Sequence, residues 1–543
     1  MTDTTVLNRE ARTATKRVVL ADVISPEGVE VLAREDGIEV DDFAGEPRAS
    51  LMRALPGAAA LIVRSGTTVD AELLDAAEDL QVVGRAGVGV DNIDLEEATR
   101  RGIAVLNAPG GNTLSTAELA FGLLLAAARH IPAAERSLRE GRWDRKSFRG
   151  VQLHGRRLGV VGAGRIGSEV VARAKAFGME VVVHDPYVPR ERAEDLGVEL
   201  VDLDVLLERA DAVTLHAPLT DDTRGMIGAA ELDRMRDGAL LVNAARGGLV
   251  VEEALAEALA EGRLAGAALD VYGEEPPPED HPLREAPNLV MTPHLGAATG
   301  EAKREVAVEI ATSVRDALLE GDLRAALNAP RVDPAQKPHV EPILRLGRHL
   351  GTLLAAISVG RCAELRVRYG GPHEEILRPL ASATVEGFLQ PTTDRPLNRV
   401  NALYAATERG VEVSRTRTRE VADYANYVEI TAAGEGGETV VGGALLGEGH
   451  PRIVRIGDFH VDTVPRATLL VIRNRDVPGV IGEVGTRLGG AGMNIAEYHQ
   501  ARRDVGGEAL AVVTVDDVVP GDVLEAIAAL ENVESVRQVA FRG

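Results

Sequence analysis

The sequence predicts an α/β protein of several domains: two layers of parallel strands, an α+β segment and a small βαββαβ domain at the C-terminal end. Three observations predict this architecture. A chain of 543 residues is too long for one hydrophobic core. Short β-branched runs alternate with helical segments in the first part of the chain, which is typical of parallel sheets. The C-terminal segment instead places a hairpin between two helices.

The composition excludes several classes of protein. A formal net charge of −24 argues against nucleic acid and anionic membranes as partners, because both require a basic surface. The single cysteine, Cys362, permits neither an intrachain disulfide nor a cysteine-based zinc site, and no metal is expected. Residues 1–16 are polar and lack the apolar stretch of a secretory signal. We therefore expect a cytoplasmic protein with no membrane-spanning segment.

The first layer is predicted from strand-like runs separated by helical segments. These runs are 17–24, 58–64 and 80–83. A helix over about residues 299–319 is expected to return to this layer and complete it. The predicted substrate-binding domain is therefore discontinuous, with residues 17–107 and 296–328.

The second layer begins with a long apolar helix over residues 112–130. Six strands are predicted after it, over residues 157–161, 180–184, 212–215, 239–242, 265–269 and 288–291. Helical segments separate them, so a second parallel sheet is expected in a nucleotide-binding domain over residues 108–295.

Two further domains are predicted. Residues 335–460 mix helix and strand with several glycines and carry no chemical motif. Residues 466–543 form the βαββαβ domain, which is a ferredoxin-like arrangement. Its predicted elements are strand 467–474, helix 478–489, strands 494–503 and 508–516, helix 520–530 and strand 533–541.

A glycine-rich turn joins the first strand of the second layer to its helix. Gly162 permits a tight turn, Gly164 lets a pyrophosphate approach the backbone, and Gly167 allows close packing of helix and strand. Asp185 ends the next strand, where a carboxylate accepts hydrogen bonds from ribose hydroxyls and repels a 2′-phosphate. The pattern alone also fits an ordinary turn, and Asp185 also fits a residue that starts a loop. In this context NAD is expected as the cofactor rather than NADP.

Polar residues downstream supply what the oxidation of a hydroxy acid requires. Arg246 follows a strand end and can grip a carboxylate with two parallel hydrogen bonds. His294 is suited to accept the hydroxyl proton, and Glu275 can hold its imidazole. Asp270, at another strand end, can face the amide of a nicotinamide. Alternatives remain: a structural role for Arg246, an idle loop histidine, and Glu274 in place of Glu275.

These motifs resemble those of the D-isomer-specific 2-hydroxyacid dehydrogenases, over residues 17 to about 325. The matching motifs are 162–167, 243–248, 268–276 and 293–297. The resemblance implies a Rossmann-type nucleotide-binding domain inserted in a flavodoxin-like substrate domain, with Arg246, Glu275 and His294 as catalytic residues. It implies that NAD contacts Gly162, Gly164, Arg165, Ile166, Gly167, Asp185, Ala244, Ala245, Asp270, His294, Gly296 and Ala297. It implies that the substrate contacts Arg64, Arg85, Asn112, Arg145 and Arg246.

Segments 83–94 and 107–112 resemble the members of this family that oxidise 3-phospho-D-glycerate to 3-phosphohydroxypyruvate, the first step of L-serine biosynthesis. A small anionic substrate is therefore expected. The resemblance implies a homo-oligomer, a dimer or tetramer, in which Arg145 reaches the phosphate held by a neighbouring subunit. Val88 and Ala217 depart from the family, since threonines often contact the cofactor at these positions. The competing interpretations are an enzyme acting on glyoxylate, hydroxypyruvate or lactate, and an NAD-sensing transcriptional corepressor.

The C-terminal domain resembles an ACT domain, a small fold that often binds amino acids between paired copies. The resemblance implies that Asn474, Asp476 and Asn494 hold serine as a feedback effector, since a carboxylate suits an ammonium and amides suit a carboxylate. The alternative is a dimerisation module without a ligand. Residues 335–460 resemble the intervening, allosteric-substrate-binding-like domain of long members of the family, with His460 as a possible anion contact.

Overall fold

The computed structural model describes residues 15–333, 335–418, 424, 426–447 and 449–541, and it contains four sheets. Most of the N-terminal stretch on which the expectation of no secretory signal depends lies outside the described residues.

The first sheet is parallel throughout. Its strands are β1 (Lys16–Leu20), β2 (Ile38–Asp42), β3 (Ala60–Val63), β4 (Val82–Arg85) and β5 (Ala104–Asn107). Its helices are α1 (Pro26–Ala33), α2 (Arg48–Ala54), α3 (Ala71–Asp75) and α4 (Leu95–Arg101). The strand order β2-β1-β3-β4-β5 is the flavodoxin-like order. Every residue of β3 and β5 is buried, because a doubly wound sheet is covered on both faces.

The second sheet is also parallel and has seven strands. Its strands are β6 (Arg157–Val161), β7 (Glu180–His184), β8 (Glu199–Leu200), β9 (Ala212–Leu215), β10 (Leu240–Asn243), β11 (Gly266–Leu269) and β12 (Leu289–Met291). Its helices are α5 (Thr113–Ala128), α6 (Ile131–Arg139), α7 (Arg165–Ala176), α8 (Arg190–Leu196), α9 (Leu203–Arg209), α10 (Ala229–Arg234) and α11 (Glu252–Ala260). All six predicted strands are confirmed to within one residue. The order β12-β11-β10-β9-β6-β7-β8 reverses direction beside β6, which opens a ligand crevice at the carboxyl ends of the strands.

The predicted return of the chain to the first layer is confirmed by α12 (Gly300–Glu320). This helix packs closely on α1 and β4. A side chain at Gly28 would come within 2.6 Å of the Ala307 carbonyl oxygen, and one at Gly84 would come within 2.7 Å of Val314. Both glycines therefore let α12 approach the layer closely, which places the start of α12 beside the crevice.

The third sheet combines one parallel pair of strands with antiparallel pairs. Its strands are β13 (Cys362–Gly370), β14 (Glu412–Arg417), β15 (Tyr427–Gly434), β16 (Gly437–Leu446), β17 (His450–Ile456) and β18 (Phe459–Thr463), in the order β14-β13-β15-β16-β17-β18. Its helices are α13 (Lys337–Ile357), α14 (Leu377–Leu389) and α15 (Ala402–Glu408).

This segment docks onto the first layer at the C-terminal end of α4. Asn398 Nδ2 donates to the Gly102 carbonyl at 2.8 Å, and Arg395 Nη1 donates to the Arg100 carbonyl at 2.8 Å. The two contacts satisfy carbonyl groups that the end of a helix leaves without partners.

The fourth sheet is antiparallel, and the predicted ferredoxin-like domain is confirmed. Its elements are β19 (Thr468–Arg475), α16 (Val480–Gly490), β20 (Ile495–Arg502), β21 (Glu508–Val515), α17 (Gly521–Ala528) and β22 (Val533–Ala540), with strand order β20-β21-β19-β22. One face packs on the two helices through residues such as Leu470 and Val484. The other face shares a hydrophobic cluster with the preceding segment, in which Leu469 and Val512 join Leu346.

Among the described helices, none is by itself long and apolar enough to cross a membrane. Two consecutive helices, Thr113–Ala128 and Ile131–Arg139, together reach the length and apolar composition of a membrane span, but they meet at an angle of 62°. One side of the first of these helices is buried, including Ala120, Phe121 and Leu124.

Candidate active site

A cleft of about 1130 Å³ lies between the first two layers, at the carboxyl ends of their strands. Most of the predicted site residues line it. They are Arg64, Arg85, Asn112, Ile166, Ala244, Ala245, Arg246, Asp270, Glu275, His294, Gly296 and Ala297. Arg145 is exposed and does not line the cleft. Among the described residues, no group of three or more His, Cys, Asp or Glu side chains could hold a metal ion.

The imidazole of His294 is paired with the carboxylate of Glu275. Glu275 Oε2 lies 2.7 Å from His294 Nδ1, and Glu275 Oε1 accepts a hydrogen bond from the Tyr272 amide at 3.0 Å. Glu274 is exposed and does not line the cleft. The geometry therefore favours Glu275 over its neighbour as the partner of the histidine.

Asp270 holds the loop that carries His294. Its buried carboxylate accepts hydrogen bonds from the Leu295 amide at 2.7 Å and the Gly296 amide at 2.9 Å, and its carbonyl accepts one from the His294 amide at 2.9 Å. His294 has a φ of 55°, a left-handed conformation that is costly for a residue other than glycine. Asp270 thus stabilises the conformation that presents the imidazole to the cleft.

Arg246 is presented by a loop that Asn243 braces. Asn243 Nδ2 donates to the Arg246 carbonyl at 2.9 Å, and Asn243 Oδ1 accepts from the Ala245 amide at 3.1 Å. The guanidinium faces the carboxylate of Asp91, since its Nε lies 3.7 Å from Asp91 Oδ2. Because Asp91 is largely solvent-exposed, this pair is weak, and the guanidinium remains available to an anion.

Four cationic side chains line the cleft, together with the carboxylates of Asp91, Asp270 and Glu275. The cations are Arg64, Arg85, Arg246 and Lys303. Burial lowers the pKa of Arg85, and the nearby charges of Arg246 and Arg64 lower it further. The buried Nε of Arg85 has no hydrogen-bond partner among the described residues. A bound anion would relieve the repulsion and satisfy this donor, so the cleft suits a small anionic substrate.

The glycine-rich turn has the shape that a dinucleotide needs. Gly162 has a φ of 90°, and a side chain at Gly167 would collide with the Gly162 carbonyl at 2.0 Å. Nothing lies within 4 Å of a side chain placed at Gly164, so the amides at the start of α7, beginning at Arg165, are open to a phosphate. Asp185 lies beside the turn and accepts a hydrogen bond from the Ala163 amide at 2.9 Å. The residues present therefore fit a dinucleotide.

Several residues of the site were missed from the sequence. They are Asp22, His216, Asn243 and Lys303. Asp22 holds the loop after β3 by accepting a hydrogen bond from the Arg64 amide at 2.5 Å. His216 lines the cleft at the end of β9, and burial lowers its pKa to about 4. A histidine at a strand's carboxyl end was a usable signal, whereas Lys303 reaches the cleft only through the packing of α12.

A second cavity of about 370 Å³ lies in the third sheet, where the sequence offered no motif. His460, the possible anion contact, lines it together with Arg368 and Arg455. Each arginine donates to Glu429 at 2.8 Å, and Tyr427 donates to the same carboxylate at 3.1 Å. The two cations of this cavity therefore share an internal counter-ion.

The three proposed effector residues do not meet within one chain. Asn474 lies near the end of β19, with Asp476 just after it, whereas Asn494 precedes β20 beside Val515 at the opposite end of the sheet. About six residues of strand separate the two groups, which is roughly 20 Å. Asp476 Oδ2 is already engaged by Arg502 Nη1 at 3.2 Å.

Comparison with protein families gives three matches along the chain. Residues 121–296 match the NAD binding domain of the D-isomer specific 2-hydroxyacid dehydrogenases. Residues 339–457 match the D-3-phosphoglycerate dehydrogenase intervening domain, and residues 468–532 match the ACT domain.

Solved structures are similar to more than half of this chain. The TT0316 protein from Thermus thermophilus is 41% identical with a TM-score of 0.52, over 57% of this chain and 99% of that chain. The NAD-dependent formate dehydrogenase from Staphylococcus aureus, in complex with NAD, is 30% identical with a TM-score of 0.50, over 56% of this chain and 96% of that chain.

Curated relatives match nearly the whole chain. The D-3-phosphoglycerate dehydrogenase of Archaeoglobus fulgidus is 41% identical over 95% of this chain and 98% of the relative. That of Mycobacterium tuberculosis is 42% identical over 94% of this chain and 97% of the relative. These matches include the intervening and ACT segments, which follow the NAD binding domain along the chain. The chain therefore belongs to the D-3-phosphoglycerate dehydrogenases, within the D-isomer-specific 2-hydroxyacid dehydrogenase family.

Proposed function

We propose that this chain oxidises 3-phospho-D-glycerate to 3-phosphohydroxypyruvate with NAD, the first step of L-serine biosynthesis. One observation carries the proposal: the paired His294 and Glu275 share a cationic cleft with Arg246, next to a glycine-rich turn. The full-length similarity to D-3-phosphoglycerate dehydrogenases supports the same conclusion.

Each of three cleft residues has a different role in the oxidation of the hydroxy acid. Arg246 binds the carboxylate and fixes the face of the carbon that carries the hydroxyl. His294 uses Nδ1 for Glu275, so its Nε2 is the atom that accepts the hydroxyl proton. Glu275 stabilises the imidazolium that this transfer creates. NAD, when bound, supplies the acceptor for the hydride of the same carbon.

The remaining cations suit the phosphate group. Arg64, Arg85 and Lys303 line the same cleft as Arg246, and one carboxylate cannot satisfy all of them. A substrate with a second anionic group uses these charges, whereas glyoxylate or lactate brings only one anionic group to them.

The cofactor is held by the turn at the start of α7. The open amides at Gly164 and Arg165 face the pyrophosphate, and Asp185 accepts hydrogen bonds from the ribose hydroxyls.

A substrate panel tests the proposal. The assay follows NADH formation from 3-phospho-D-glycerate, with a chemical trap for the product, and repeats it with D-glycerate, D-lactate and glycolate. We expect a kcat/KM for the phosphorylated acid that exceeds the others by at least about 100-fold. An acid without the phosphate cannot form the charge-assisted hydrogen bonds between that group and the cations of the cleft. Comparable turnover without the phosphate would contradict the substrate assignment.

We further propose that the chain forms homo-oligomers through the face around α6. Ile131 and Leu138 are more than half exposed and Trp143 is 79% exposed, although large apolar side chains are normally covered. Arg145 lies in the same segment, so a second copy docked there brings this cation towards a neighbouring cleft. Sedimentation analysis of the wild type and Trp143→Glu tests this: a monomeric wild type contradicts it.

Serine is the proposed effector of the ACT domain, bound between two copies. This arrangement is needed because Asn494 lies at the opposite end of the sheet from Asn474 and Asp476. Calorimetric titration of the full chain with serine tests it, and absence of heat at millimolar serine would leave the domain a dimerisation module. The single cysteine, Cys362, supports a reducing, cytoplasmic setting for the enzyme.

A further inference from the structure

A buried acid–base pair lies behind the active site, outside the lining of the cleft. Glu252, the first residue of α11, and His281 approach within 2.9 Å through Oε2 and Nε2, and their side chains are only 10% and 13% exposed. Neither residue takes part in the mechanism above. Burying a carboxylate costs free energy unless it is paired and hydrogen-bonded, so the contacts that Glu252 makes indicate what the pair does.

The pair holds the backbone next to the partner of the catalytic histidine. Glu252 Oε1 accepts a hydrogen bond from the Gly273 amide at 2.7 Å, and the preceding amide, that of Tyr272, donates to Glu275 Oε1 at 3.0 Å. Two successive amides of one loop are therefore divided between Glu252 and Glu275. Any shift of the Gly273 backbone displaces the donor that orients the Glu275 carboxylate.

The side of the loop that faces β11 and β12 has its own anchor. The buried Tyr272 hydroxyl donates to the Thr292 carbonyl at 3.0 Å and contacts the Leu269 carbonyl at 3.2 Å. This anchor fixes the ring of Tyr272. The peptide that follows it enters an exposed stretch, Gly273 to Pro276. There the Glu252 carboxylate holds the backbone by accepting the hydrogen bond of the Gly273 amide.

The protonation pattern of the pair follows from its neighbours. His281 Nδ1 accepts a hydrogen bond from the Leu283 amide at 3.3 Å, so Nε2 carries the hydrogen that points to Glu252. A neutral imidazole suffices for this contact. The N-terminus of α11 also favours a negative charge at Glu252, because its amides and dipole point towards that residue.

We propose that Glu252 and His281 are positioning residues for catalysis: they fix the 272–275 loop so that Glu275 holds the His294 imidazole in its productive orientation. The inference rests on the proposed function, since it concerns the same proton transfer. Neither residue lines the cleft, and the glycine turn and Asp185 lie on other elements. The pair should therefore affect kcat, with little effect on cofactor binding.

Single substitutions test the pair with matched controls. Glu252→Gln keeps the shape but loses the charge, and His281→Ala removes the donor, whereas His281→Gln retains an N–H near the position of Nε2. We expect Glu252→Gln and His281→Ala to lower kcat about tenfold, since small displacements of catalytic groups have effects of this order. His281→Gln should recover most of the loss. Glu253→Gln, at the exposed neighbouring position of α11, is the control and should match the wild type.

Two further measurements separate positioning from general damage. NADH binding, followed by fluorescence, should change less than about twofold in every variant, and so should the KM for 3-phospho-D-glycerate. If Glu252→Gln weakens NADH binding as much as it lowers kcat, or if His281→Gln is as impaired as His281→Ala, the positioning role is wrong. Circular dichroism at the assay temperature identifies any variant that fails to fold, and His281→Gln then carries the test.

A double-mutant cycle with Glu275→Gln decides the route of the effect. If Glu252 acts through Glu275, its substitution should lower kcat about tenfold in the wild type and less than about twofold in the Glu275→Gln background. Equal effects in both backgrounds would overturn the inference. An inactive wild type would instead contradict the proposed function, whereas an active wild type with an unaffected Glu252→Gln variant would contradict only the positioning role.

Discussion

Glu275 Oε2 lies 2.7 Å from Nδ1 of His294, although 19 positions separate the two residues along the chain. The contact forms because β11 and β12 are adjacent parallel strands, so the loops after them meet at one edge of the sheet. Asp270 then fixes the backbone of the His294 loop, and the Tyr272 amide orients the Glu275 carboxylate. The pairing of Glu275 with His294 thus follows from strand order and from two backbone contacts.

Replacing either member of this pair should remove turnover without removing the cofactor. We expect His294→Ala to lower kcat by at least about 1000-fold and Glu275→Gln by about 10- to 100-fold, because the first removes the proton acceptor and the second only its counter-charge. NADH binding by fluorescence should persist in both. Glu274→Gln is the matched control for Glu275→Gln, and an equal loss of activity in the two would contradict the assignment.

Lys303 should contribute to recognition of the phosphate. It lines the cleft from the first turn of α12, and Arg64 and Arg85 line the same cleft. Lys303→Met should raise the KM for 3-phospho-D-glycerate about tenfold through the loss of one charge-assisted contact, with a smaller effect on D-glycerate. Arg304→Gln removes a neighbouring charge that does not line the cleft and should leave both constants unchanged. Equal effects of Lys303→Met on both acids would place the lysine away from the phosphate.

The sequence was informative where a local pattern and its function coincide. The glycine turn and the strand ends that carry Arg246 and His294 could be located because parallel sheets place ligands at the carboxyl ends of strands. Lys303 could not be predicted, because it reaches the cleft only when α12 packs on α1 and β4. The second cavity was missed for the same reason: Arg368 and Arg455 belong to strands far apart in sequence and meet only around Glu429.

Short or exposed elements were also missed. Strand β2 carries the polar sequence Ile-Glu-Val-Asp-Asp, and β8 has only two residues, so neither shows an apolar run. The distance of Asn494 from Asp476 could not be predicted from the sequence either. Motif matching groups it with Asp476, whereas the strand register separates the two within one chain.

His216 should make the enzyme sensitive to acid. Burial lowers its pKa to about 4 in the folded state, from 6.5 for a histidine in water. Between these values the unfolded chain binds the proton and the folded chain does not. This site therefore leaves the free energy of unfolding unchanged above pH 6.5 and lowers it as the pH drops towards 4. The loss at this site amounts to about 3 kcal/mol. Urea unfolding of wild type and His216→Gln at pH 7 and pH 4.5 measures it.

The variant should show a smaller acid-induced loss than the wild type. Its glutamine can still meet Thr214 Oγ1, which lies 3.0 Å from His216 Nε2. His339→Asn, at an exposed position of α13, is the control and should follow the wild-type curve. An unchanged pH dependence in His216→Gln would show that the acid sensitivity arises elsewhere.

Gly102 should be more sensitive to substitution than an isolated helix-ending glycine. Its φ is 78°, and a side chain there would come within 2.7 Å of Asn398 Nδ2. Gly141 is a matched control, since its φ is 82° and nothing lies within 4 Å of a side chain placed there. Left-handed backbone costs each alanine about 1–2 kcal/mol. Thermal unfolding should show a larger fall in melting temperature for Gly102→Ala than for Gly141→Ala. Equal falls would mean that the close contact with Asn398 contributes little to stability.

Arg502 should compete with serine for the effector site. Its guanidinium lies 3.2 Å from Asp476 Oδ2, the carboxylate proposed to bind the ammonium of serine. Because the arginine is 56% exposed, the pair is weak and a ligand can displace it. Arg502→Ala should therefore bind serine about two- to fivefold more tightly in calorimetric titrations, which corresponds to an exposed pair worth up to about 1 kcal/mol. Asp476→Ala should abolish the heat, and Arg503→Ala, one position further along, should leave the affinity unchanged. Weaker binding in Arg502→Ala would make the arginine a contact of the serine carboxylate instead.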